Sequence, residues 1–175
     1  SCLVGSEMCI RDRSIAGGVP LYLEQIRSDL PAEQNIRDLC FTKGGLLDRE
    51  FDEIFSDLFS RSKGIHKKII TCLSNGPKDL SQICKELEKS QGGLYSQYLN
   101  ELVKAGFVKR DFIWDLKSGK QSKLSRYRLS DNYLRFYLKY IAPNRFKIEK
   151  GNVPASMLNN LPGWEGIMGL QFENL

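Results

Sequence analysis

The chain has 175 residues, 41% of them apolar, and its 26 basic and 21 acidic side chains give a formal charge of +5. This composition suits one soluble globular domain or two small ones, and no apolar run approaches the ~18–20 residues of a membrane span. Five cysteines show no Cys-x-x-Cys pair and no histidine at ligand spacing, which argues against a zinc site and for reduced thiols in a cytoplasmic setting.

Residues 1–13 have no helical or strand periodicity, and no basic region precedes a sustained apolar core, so they are not read as a signal peptide. They resemble translated read-through of a sequencing adapter and are expected to be non-native. A short natural arm is the alternative. Residues 14–60 read as small helices. Pro20 suits a first helical turn, Pro31 restarts the chain, and Ile36, Leu39 and Cys40 stand at helical spacing. Gly44-Gly45 punctuates, and Asp48 is placed to cap a helix from Arg49 to Phe59 with a stripe of Phe51, Ile54, Phe55, Leu58 and Phe59. With 4 basic and 9 acidic residues, this acidic bundle is too short to bury its stripe without a neighbour.

Residues 61–128 reverse the charge, with 15 basic and 6 acidic side chains. Ile65, Ile69, Ile70 and Leu73 mark one helix, ended by Asn75-Gly76-Pro77. Leu80, Ile83, Cys84 and Leu87 mark a second, where Cys84, like Cys72 before it, behaves as a small buried hydrophobe. A third follows Gly92-Gly93, with Leu94, Tyr98, Leu99, Leu102 and Val103 facing inward and Gly106 in a left-handed cap. Phe107 to Trp114 reads as a strand, and a polar loop reverses direction. In the return strand, alternation sends Tyr127 and Leu129 inward and Arg126 and Arg128 to water. Three helices and two strands in this order make a winged helix-turn-helix. The expected fold class is mainly α with a small β-wing: a helical bundle, the winged helix over 61–129, and a linker helix over 130–175 expected to open a truncated domain. From Asp131 to Ile141, apolar residues surround the helix almost completely, which predicts burial. Pro143-Asn144 ends it, and a looser stretch follows.

No phosphate-cradling loop ending Gly-Lys-Ser/Thr, no metal-ligand cluster and no nucleophile beside a base occurs in the chain. The lone His66, among lysines, reads as a surface residue. Positive charge gathered in one segment is the footprint of a polyanion-binding face, and a merely solvated basic surface competes with that reading. On the third helix the outward polar positions Gln91, Ser96, Gln97, Asn100 and Lys104 can meet phosphates or base edges of double-stranded DNA. The wing adds Lys109, Arg110, Lys117, Lys120, Lys123, Arg126 and Arg128. Glu101 on that face opposes phosphate, so a packing or regulatory role stays open. Asp131 and Arg135 stand at the spacing of a structural charge pair.

Gly17-Gly18-Val19-Pro20-Leu21-Tyr22-Leu23, the winged helix, and Tyr127-Arg128-Leu129-Ser130-Asp131-Asn132-Tyr133-Leu134-Arg135-Phe136 together resemble the archaeal-type AAA/STAND ATPases. The resemblance implies a P-loop ATPase domain upstream, a helical lid over 14–60, the winged helix, and the start of a nuclease-like C-terminal domain. It also implies ATP as the cofactor of the full-length protein, with Gly18 and Pro20 of the lid set against the nucleotide base and an oligomer possible. Pro20 as an ordinary helix start is the alternative. The phosphate loop, the magnesium-holding acidic strand and the nuclease core are absent here, and Glu173 fits a solvated helix face better than a nuclease carboxylate. Neither ATP hydrolysis nor phosphodiester cleavage is expected of the chain alone. A stand-alone winged-helix transcription regulator is the competing function.

Overall fold

A computed structural model describes residues 15, 20–59, 62–88, 93–115, 119–154 and 161, without the side chains at 32, 115, 120, 121 and 123. Among the described residues the chain is mostly helical, with one two-stranded antiparallel sheet, and no helix is long and apolar enough to cross a membrane. The order is α1 (Pro20–Glu24), α2 (Ala32–Cys40), α3 (Leu46–Leu58), α4 (Lys63–Ser74), α5 (Leu80–Glu86), α6 (Gly93–Lys104), β1 (Val108–Asp115) and β2 (Lys120–Leu129). It continues through α7 (Asn132–Phe136), a π-helical turn (Tyr137–Ile141), a 3-10 turn (Ala142–Asn144) and α8 (Arg145–Glu149). Two compact units form, one from residues up to Glu53 together with Asn132 onward, the other from Ile54 to Asp131.

In the first unit, aromatic rings from α1 to α3 meet those of α7 and the π turn. Phe51 stacks on Tyr137 with centroids 4.3 Å apart, Tyr22 lies 5.7 Å from Tyr133, and Phe41 lies 6.2 Å from Phe136. Tyr133 donates its hydroxyl to the Leu47 carbonyl at 2.8 Å, and burial pushes that phenol's pKa up, keeping it a donor. Asn35 closes the α1–α2 turn, accepting from the Arg27 amide and donating to the Arg27 carbonyl, both at 2.9 Å. A Cβ at position 45 would meet the Leu39 carbonyl oxygen at 2.6 Å, so only glycine lets the chain pass there.

Two expectations change in this unit. Asp48 does not cap α3: the helix opens two residues earlier, and Asp48 lies buried in its first turn. Pro143 does not end the helical run, because a proline early in the 3-10 turn needs no donor and the chain coils on to Glu149.

In the second unit α4, α5 and α6 pack with β1 and β2 as a winged helix, the expected fold. Its core includes Ile69, Ile70, Leu73, Ile83, Cys84, Leu99, Leu102, Val108, Tyr127 and Leu129. The unit begins at Ile54 because Phe55 and Phe59 reach Phe107, at 5.9 and 6.3 Å between ring centroids.

Candidate nucleic-acid interface

α5 starts sharply because Asp79 and Gln82 form a reciprocal capping box. Asp79 Oδ1 accepts from the Gln82 amide at 2.8 Å, and Gln82 Oε1 accepts from the Asp79 amide at 3.0 Å. Just before it, Lys78 pairs with Tyr127 through backbone bonds of 3.0 and 2.8 Å, an isolated antiparallel bridge beside β2. Its ammonium is bonded to Glu86. Sequence reasoning missed both features, although Asp-x-x-Gln ahead of Ile83-Cys84 is a legible start signal.

α6 buries Leu99 and Leu102, half-buries Tyr98 and Val103, and leaves Gln97, Asn100 and Lys104 exposed. Leu94 was expected inside but is 54% exposed, since it stands in the first turn beyond the reach of the core. The helix ends in a Schellman motif: Gly106 has φ of 82°, its amide donates to Val103, and the Phe107 amide donates to Leu102.

His66 is fully buried, contrary to its expected place on the surface. It stacks on Phe59 at 4.0 Å and meets Tyr98 edge-on at 5.1 Å. Its Nδ1 lies 2.9 Å from the Ser62 carbonyl and its Nε2 2.9 Å from Glu101 Oε2, so each ring nitrogen has a hydrogen-bond partner. Glu101 therefore turns one oxygen inward, and its other accepts from Gln97 Nε2 at 3.1 Å. The carboxylate expected to oppose phosphate is engaged within the module.

The wing pairs Val108 with Leu129, Lys109 with Arg128, Arg110 with Tyr127, Asp111 with Arg126 and Phe112 with Ser125, before a bulge between Phe112 and Trp114. Tyr127 and Leu129 are buried and Arg126 is exposed, as alternation required. Arg128 is not free in water: its Nε donates to Asp111 Oδ2 at 2.8 Å. Arg110 and Lys109 are exposed. Lys120 and Lys123 stand on β2, their side chains outside the described residues, and Gln91 and Lys117 lie outside them altogether. Phe112, Ile113, Trp114 and Leu124 leave the wing partly apolar on its surface.

A groove of about 370 Å³ opens between α5, α6 and the wing, lined by Asp79, Ser81, Ser96, Asn100, Arg110 and Ser125 among others. Of the residues expected to interact with DNA, it brings together Asn100 and Arg110. Elsewhere, Pro20 opens α1 and is exposed, while Gly18 lies outside the described residues. Cys40, Cys72 and Cys84 are free and buried; burial, reinforced by the Glu86 charge, pushes the Cys72 thiol up to about 11, which leaves it unreactive.

Residues 66–110 match the bacterial regulatory protein, arsR family, a span running from α4 into β1. An ArsR-type winged helix-turn-helix domain is therefore present. Over 136 residues, 78% of this chain, the sequence is 29% identical to the uncharacterized protein MJECL04 of Methanocaldococcus jannaschii. The chain spans 30% of the length of that relative. No solved structure matches the chain significantly.

Proposed function

We propose that the chain binds double-stranded DNA through its winged helix, as a regulator-type DNA-binding protein. One observation carries the reading: the span similar to arsR regulators contains α6, whose exposed face offers Gln97, Asn100 and Lys104. In this reading α6 enters the major groove and the wing follows the backbone. Among the described residues the Asn100 side chain has no hydrogen bond, so its carboxamide oxygen and nitrogen are both open to an adenine edge. Lys104 and Arg110 supply phosphate contacts. With about four phosphates neutralised, affinity should fall about a hundredfold between roughly 50 and 200 mM salt. Fluorescence anisotropy on a random-sequence duplex measures this, and an absence of binding at every salt concentration would refute the reading.

A second reading is favoured by the extent of the archaeal likeness, which runs well beyond the winged helix and covers less than a third of a longer protein. Here the chain is a stretch of a larger AAA/STAND-type ATPase, partnered by a P-loop domain that holds ATP, with Gly18 and Pro20 facing the base. The genomic frame upstream of Ser14 tests it. A Gly-x-x-x-x-Gly-Lys-Ser/Thr sequence there supports the ATPase fragment, and a start codon with no such loop removes it.

A further inference from the structure

The register of the wing sorts four of its cations onto two faces. Along β1, Val108, Arg110 and Phe112 alternate with Lys109 and Asp111; along β2, Ser125, Tyr127 and Leu129 alternate with Arg126 and Arg128. Val108, Tyr127 and Leu129 are buried, so theirs is the face turned toward the helices. Arg110 shares it. Lys109, Arg126 and Arg128 lie on the other.

Arg110 is also held in place. Its Nε donates to Ser125 Oγ at 2.9 Å, and its guanidinium lies 4.8 Å from the Phe112 ring centroid and 5.5 Å from that of Tyr127. These contacts orient the guanidinium, and among the described residues neither terminal nitrogen has a hydrogen-bond or ion-pair partner. The groove beside it carries the hydroxyls of Ser81, Ser96 and Ser125 and the amide of Asn100. Asp79, the acidic residue in the lining, directs its carboxylate to the Gln82 amide of its own helix. A pre-oriented guanidinium surrounded by neutral donors suits a phosphate oxygen, because little side-chain freedom is lost on binding.

We propose that this groove seats one phosphate, a backbone phosphodiester of DNA lying along α6, with Arg110 as its charged anchor and Ser125 as the residue that positions Arg110. The inference rests on the duplex-binding reading and narrows it: the inner face of the wing carries the contact, and the outer cations do not.

The test uses the full chain, with the melting temperature of each variant checked against wild type. Binding to a random-sequence duplex is followed by anisotropy across a salt series, and inorganic phosphate is titrated separately by amide NMR. Arg110→Gln should weaken duplex binding by about tenfold or more and reduce the salt slope by about 0.9. Arg110→Lys should keep the slope and lose several-fold in affinity, since charge remains and the fork does not. Ser125→Ala should do the same. Arg126→Gln, an equal loss of charge on the outer face, should leave affinity within about twofold. Equal losses for Arg110→Gln and Arg126→Gln would overturn the seat while leaving duplex binding intact. If wild type binds no duplex, yet phosphate shifts the Ser96 and Ser125 amides in an Arg110-dependent way, the seat stands for a free phosphorylated ligand and the duplex reading falls. Binding of neither probe overturns the seat.

Discussion

His66 and Asp48 show how a single side chain departs from what its neighbours in sequence advertise. The lysines beside His66 suggest an exposed position, but positions 66, 69, 70 and 73 share one helical stripe, and the ring follows Ile69, Ile70 and Leu73 into the core. The stripe was legible, and the lysines outweighed it. What no local pattern contains is the partner of Nε2, because Glu101 lies 35 residues away. Asp48 is the reverse case, a carboxyl that looked like a cap and is buried, with Oδ1 unpartnered among the described residues. Burial raises its pKa above the ordinary carboxyl range, partly offset by the Arg145 charge. A raised folded value means that the protonated form is the one favoured by folding. Its stabilising contribution is complete below the unfolded pKa and is lost as pH rises through the folded value. Asp48→Asn is therefore expected to raise the melting temperature at neutral pH, with the gain shrinking toward about pH 3.5, near the unfolded carboxyl value. An equal gain at both pH values would show that the buried charge is not the cause.

The elements were more legible than the residues, because helix periodicity and glycine chemistry are local. The spacing of Leu99 and Leu102 and the position of Gly106 fixed α6 and its end, and the left-handed cap is where the sequence put it. A Cβ at 106 would meet nothing within 4 Å, so substitution is opposed by the backbone alone. Gly106→Val should destabilise the winged helix by about 1 kcal/mol or more, measured by denaturant unfolding; an unchanged midpoint would remove the cap's role. The isolated bridge at Lys78 was not legible, because a single backbone pairing leaves no alternation to read. Nor was the π turn over Tyr137–Ile141, which lies within a run of aromatic residues that reads as ordinary helix.

For the molecule as a whole, the sequence located the winged helix over 61–129, whereas the folded unit runs from Ile54 to Asp131. Phe55 and Phe59 account for the difference, being buried against Phe107 and His66. A fragment of residues 54–131 should therefore exceed one of 62–131 in stability by about 3 kcal/mol or more, the scale of losing a buried phenylalanine. Equal melting temperatures would mean that the aromatic pair adds nothing. Of the candidate interface, the polar positions of α6 were readable from helical phase, as was the positive charge of the segment. The division of the wing cations was only half readable. Alternation placed Arg126 and Arg128 outward but said nothing of Asp111 bonding Arg128, or of Ser125, Phe112 and Tyr127 holding Arg110. By itself the amino-acid order determined the helices, the hairpin and the basic module, because turns, caps and apolar periods act over a few residues. Tertiary structure decided which charges are spent internally and which remain open, because those pairings join positions tens of residues apart.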